Sequence, residues 1–198
     1  MLTTMDSEPA NKKIADKKII GRERKAPKKI SKTYLENAAL YYLQRYATSA
    51  GNLRRILLRK VKRSCTFHQV PVEDFVPLVD ELVARYMSVG LVDDKSFAQA
   101  KVTSLRRQGH SGRSIIARLQ VKGLSAKQIE AALKNVDEEH EDAEMSAARA
   151  YARRKRLGSY RKKPVTDPKD LQKELAAMGR AGFSYEIARR ALSLEASD

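Results

Sequence analysis

The sequence has one cysteine, no tryptophan and few aromatics, 8 Tyr and 4 Phe in 198 residues. A single thiol, Cys65, can close no intramolecular disulfide and offers no metal-ligand spacing, which fits a reducing compartment. Scarce aromatics argue against a base-stacking platform of the single-strand-binding kind. No apolar run approaches the length of a membrane span. The opening stretch Met1–Ile20 lacks the apolar centre of a secretory signal, so the expected location is the cytoplasm.

Catalytic signatures are equally sparse. No glycine-rich loop ends in Lys-Ser or Lys-Thr, so the phosphate cradle of an NTPase is missing. His68, His110 and His140 are scattered, with no pair at metal-ligand spacing. Cys65 lies near Arg63 and His68, which could lower its pKa, but it reads more simply as an incidental loop thiol. The carboxylates between Asp137 and Glu144 could attract a cation; a solvated helix start, where negative charge meets the positive dipole end, is the simpler reading. No catalytic, cofactor-binding or metal-binding residue is assigned. The expectation is a binding protein, not an enzyme.

Positive charge and helix formers are abundant. Lys and Arg number 40 against 24 Asp and Glu, a formal charge of +16. Such a surplus repels itself in a compact body and points to a polyanionic partner, nucleic acid or a protein surface carrying it. Residues 1–32 hold ten cations and four acids, hence +6, with too few apolar residues to bury anything. They read as a disordered basic tail, either sweeping for polyanions or merely solubilising.

From Tyr34 onward apolar residues recur at helical spacing. Leu35, Ala38, Ala39, Tyr42, Leu43 and Tyr46 share a face; Ser49 caps a second helix holding Leu53, Ile56, Leu57 and Val61; a loop over 64–71 leads to a third helix from about Val72 to Val89. A second set opens at Asp93 or Asp94, breaks at Gly109–Gly112, resumes through Ile115, Ile116 and Leu119 to Gly123, and closes with a helix begun by a Ser125/Gln128 capping box. A third set runs from Ala143 to about Leu157, restarts at Asp167-Pro168 with Leu171, Leu175 and Met178 on one face, and stops at Gly182 before a helix capped by Ser184. Ile116-x2-Leu119-x3-Gly123-Leu124-Ser125 matches Leu175-x2-Met178-x3-Gly182-Phe183-Ser184.

The expected fold is therefore all-α: an elongated tandem array of three three-helix repeats, about nine helices, over 33–92, 93–136 and 137–198. Each repeat has an acid-free basic segment, within 53–63, 95–129 and 145–163. Charges spaced by repeats can track a helical polyanion. The candidate interface residues are Arg45, Arg54, Arg55, Arg59 and Lys60; Lys101, Arg106, Arg107, Arg113, Arg118 and Lys122; and Arg149, Arg153, Arg154 and Arg156. A solvated helix face explains any one cluster as well; three clusters favour an interface. Nothing indicates base readout.

Several segments, in this order, resemble the RecX family. Gly90-Leu91-Val92-Asp93-Asp94-Lys95-Ser96-Phe97-Ala98 is similar to its Gly-Leu-hydrophobic-Asp-Asp-x-x-Phe-Ala signature. Gly109-His110-Ser111-Gly112, followed by Leu119, Lys122 and Gly123, resembles its Gly-x-x-Gly turn and Leu-x-x-Lys-Gly helix end. Leu43-Gln44-Arg45 with Ser49 and Leu53-Arg54 resembles the opening element, and Gly182-Phe183-Ser184-Tyr185 the closing one. The likeness spans roughly 34–194; the long basic tail, the 64–71 loop and the short last helix depart from the pattern. The resemblance implies a crescent of three-helix repeats lying in the groove of the RecA–DNA filament. There it would inhibit recombinase, ATPase and co-protease activities by occupying the groove or blocking extension. It implies RecA and, more weakly, single- and double-stranded DNA as partners, a monomer, and no membrane or cofactor. The charge alone equally supports a general nucleic-acid-binding protein, nucleoid-associated or RNA-binding.

Overall fold

The computed structural model describes residues 26–140, 142–161 and 168–192. Among them are nine α-helices and no strand: α1 (Lys32–Leu43), α2 (Ala50–His68), α3 (Val76–Ser88), α4 (Asp94–Arg107), α5 (Gly112–Gln120), α6 (Ala126–Glu138), α7 (Ala143–Lys155), α8 (Pro168–Arg180) and α9 (Tyr185–Leu192). No helix of the described residues is long and apolar enough to cross a membrane.

Local chemistry starts most of these helices. Ser31, Ser49, Ser111 and Ser125 each accept, through the side chain, the N–H three residues on. Asp93 does the same for Lys95 and Ser96. These bonds satisfy amide protons that have no partner inside the helix. At α6 the capping box is complete, and Leu124 and Ile129, flanking it at staple spacing, are both buried.

Three separate cores follow from the three sets of stripes. Leu35, Leu53, Leu57, Val61, Val79 and Leu82 fill the first, among α1, α2 and α3. Phe97, Val102, Ile115, Leu119, Ile129 and Leu133 fill the second. Met145, Ala148, Ala152, Met178, Phe183 and Leu192 belong to the third. A three-helix unit with its own core, joined end to end with like units, is the repeat architecture the periodicity predicts.

The structure departs from the sequence reading at five places. Tyr46, expected on the apolar face of α1, lies beyond the end of that helix and is exposed. The segment 64–71 is not a loop up to Gln69: α2 runs on to His68, because Cys65 continues the buried Leu57, Val61 stripe at four-residue spacing. Cys65 is therefore buried, and burial pushes its thiol pKa up, the opposite of a reactive cysteine. The stretch just before α1, read as tail, is docked: Ile30 packs on the first core, Ser64 Oγ donates to the Lys28 carbonyl at 2.8 Å, and His68 Nε2 lies 2.9 Å from the Pro27 carbonyl. Residues 1–25 of that tail, and the Asp167 cap, lie outside the described residues. Leu171 is 45% exposed, whereas Met178 on the same helix is fully buried.

Candidate nucleic-acid interface

Two joints hold the repeats together, and both are built to one plan. At the first, the cap residue Ser49 donates its hydroxyl to the Lys122 carbonyl, and the Ala50 N–H donates to Asp94 Oδ1 at 2.8 Å. At the second, Ser111 donates to the Ala181 carbonyl at 2.7 Å, and the Gly112 N–H donates to Glu144 Oε2 at 3.1 Å. In each case the serine that starts a repeat's middle helix bonds the carbonyl just before the glycine that ends the next repeat's middle helix. The first free amide of that helix goes to a carboxylate opening the next repeat. The Asp93-Asp94 pair is thereby divided: Asp93 caps its own α4, while Asp94 caps α2 from the neighbouring repeat and accepts from Gln128 Nε2 at 3.4 Å.

The joints set the middle helices in an end-to-end row. The carboxyl end of α8 meets the start of α5, and the end of α5 meets the start of α2. Gly51 and Gly123 touch through their backbones: a Cβ on Gly123 would lie 2.8 Å from Gly51 Cα.

Cations line this row. At the α8–α5 junction a groove of about 680 Å³ carries Arg113, Arg118, Lys122 and Arg180 with no acid among its lining residues. Arg113, Arg118 and Lys122 are sequence candidates; Arg180 was not singled out. Its only local signal was its place just before the Ala181-Gly182 helix stop, and its neighbours in the groove come from α5. Low-dielectric walls around four like charges concentrate positive potential there, which favours an anion such as phosphate. Arg55, Arg59 and Lys60 stand exposed on α2 of the same row.

The remaining candidates divide. Arg54 is committed to Asp80, with bonds of 2.6 and 3.1 Å, and Arg55 donates to Asn52 Oδ1 at 2.6 Å. Arg45 lies 4.1 Å over the Tyr41 ring, and Lys101 5.8 Å over Phe97. Arg107, Arg149, Arg153, Arg154 and Arg156 are exposed. Arg153 sits 5.3 Å over Tyr160, and Arg154 donates to the Gln108 carbonyl. The basic segments thus fall on the middle helix α2 in the first repeat, on the first and middle helices α4 and α5 in the second, and on the first helix α7 in the third.

Arg106 needs correction. Its side chain is 8% exposed, bonded to Asp137 at 3.0 and 2.6 Å and to Glu144, with the His110 carbonyl at 3.3 Å. It joins α4 to the ends of α6 and α7 and is spent inside the protein. The same contacts explain Asp137 and Glu144, read before as a solvated helix start. Among the described residues no group of three or more His, Cys, Asp or Glu could hold a metal ion.

An array of three-helix units, with a cationic groove at one joint, defines the class: an all-α helical-repeat protein. The chain belongs to the RecX family. The family model described as RecX, second three-helix domain, matches residues 93–133. The "Regulatory protein RecX" of Myxococcus xanthus (strain DK1622) is 45% identical over 168 residues, covering 85% of this chain and 89% of that protein. The protein of the same name from Agrobacterium fabrum (strain C58 / ATCC 33970) is 29% identical over 162 residues, covering 82% and 83%. A solved structure titled "Crystal structure of regulatory protein RecX" superposes with a TM-score of 0.59 at 19% identity, over 81% of this chain and 70% of that one, and so shares the fold.

Proposed function

We propose that the protein is a non-enzymatic regulator that binds the RecA filament on DNA and inhibits its recombinase, ATPase and co-protease activities. It would act as a cytoplasmic monomer, occupying the filament groove or blocking extension. The observation that carries this reading is the end-to-end row of α8, α5 and α2 with its acid-free groove. A linear series of units offers a long contact line, which suits a helical filament better than a small molecule. Cations along that line suit DNA phosphates and acidic protein walls. The relatives are named regulatory proteins, which supports a binding role.

Replacing Arg113, Arg118, Lys122 and Arg180 together with alanine tests it. The side chains are exposed, so the fold should survive. Binding to RecA on single-stranded DNA should weaken, and the slope of log affinity against log salt should flatten by roughly 3, since each lost phosphate contact removes about 0.7–0.9. An unchanged affinity and slope would remove the groove from the interface. Equal losses on bare DNA and on the filament, with no affinity added by RecA, would make the protein a general nucleic-acid binder.

A further inference from the structure

The first joint carries a second groove, of about 500 Å³, unlike the cationic one. It lies between the end of α1 and the start of α4, and is walled by Tyr46, Leu91, Phe97 and Lys101. A counterpart at the second joint is lined by residues fifty positions on: Asp93, Ser96, Phe97 and Ala100 in the first correspond to Ala143, Ser146, Ala147 and Ala150 in the second. The second groove has no Tyr or Phe in its wall; Arg106, Arg107 and the His140 imidazole stand there instead. The fold makes both grooves, and only the first carries Tyr and Phe rings.

Of the two rings that line the first groove, Tyr46 shows 57% of its surface and Phe97 is buried. Tyr46 is held 5.1 Å from Tyr42 at 39°. The groove carries Lys101 against one acid, Asp93, whose carboxylate is spent on Lys95, Ser96 and the start of α4. Exposed π-faces beside cations are the two elements that hold an unpaired base and its phosphate. The groove also adjoins the row of middle helices: Thr48 lines it, and the next residue, Ser49, bonds Lys122. A strand whose phosphates follow that row would bring its bases past Tyr46.

We propose that this groove is a site for an unstacked base of single-stranded nucleic acid, stacked on Tyr46 with Lys101 on the phosphate. A duplex, whose bases are already stacked inside, gains nothing from it. A peptide side chain would use the apolar walls but not the cations, and the net charge of +16 favours the anion.

The test needs no RecA, so it stands or falls apart from the regulatory reading. Fluorescence anisotropy would compare a labelled oligothymidylate, an abasic strand of equal length and a duplex at one salt concentration. Tyr46→Ala is expected to weaken oligothymidylate binding roughly 5- to 150-fold, the range for one stacked base. Abasic and duplex binding should hold, and the salt slope should not move. Tyr46→Phe, which keeps the ring, should bind as the parent does, and the same melting curve for both variants would exclude unfolding. Equal weakening on all three probes, or none on oligothymidylate, would overturn the proposal. Loss of filament inhibition with oligothymidylate affinity intact would assign the groove to a protein segment and overturn it equally.

Discussion

Arg106→Ala is expected to lower folding stability by about 3 kcal/mol, the low end of the range for breaking a buried ion pair. The low end applies because Asp137 and Glu144 are each 33% exposed and partly rehydrate once the guanidinium is gone. The loss is still large because Arg106 serves three elements at once: it satisfies Asp137, Glu144 and the His110 carbonyl. Glu144 in turn accepts the Gly112 N–H, so the start of α5 loses the anchor of its own cap. Urea unfolding of Arg106→Ala and Arg107→Ala side by side checks this. Arg107 is exposed, and its variant should fall within about 0.5 kcal/mol of the parent. An Arg106→Ala protein of parental stability that had lost partner binding would return Arg106 to the interface.

Gly123→Ala should be as damaging, for a different reason. Gly123 sits at φ +83°, where an added Cβ costs about 1–2 kcal/mol. That Cβ would also lie 2.8 Å from Gly51 Cα and 3.0 Å from its carbonyl carbon, and backbone cannot swing aside as a side chain can. Overpacking of this kind adds roughly 1–3 kcal/mol, giving about 2–5 in all. Gly90 supplies the control: its φ is +72°, with nothing within 4 Å of an added Cβ. Gly90→Ala should therefore show the backbone strain alone, and the excess at Gly123 measures the joint. Equal losses in urea unfolding at the two sites would mean the repeats are not clamped through Gly51 and Gly123.

Most of the architecture was legible because it is written locally. Stripes such as Leu53, Leu57, Val61 and stops such as Gly123 and Gly182 lie within a few residues of the helices they define. The repeat of Gly-x-Ser punctuation pointed to tandem units without any tertiary information. The misread segment, 64–71, failed because a serine, a cysteine and a histidine look like loop residues, while only packing reveals that Cys65 continues a core stripe.

The site was less legible, for a reason of the same kind. Arginines look alike along a chain. Arg106 and Arg107 are neighbours, yet one is buried between carboxylates 31 and 38 residues away and the other faces water. Arg180 joins Arg113 and Arg118 in one groove only because Ser111 reaches across seventy residues to Ala181. The partner of Asp94 is likewise 44 residues off, on another repeat. Contacts between repeats join residues far apart in sequence, and the candidate groove is made at those contacts.

The central claim, that this protein regulates a RecA filament, is tested most directly by the ATP hydrolysis rate of RecA on single-stranded DNA as the protein is titrated in. Binding to the same DNA without RecA would be measured at the same salt. The account predicts inhibition well below one copy per RecA, with weak binding to bare DNA, as expected of a protein acting at filament ends or nucleation points. Hydrolysis left unchanged until the DNA itself is saturated would contradict it.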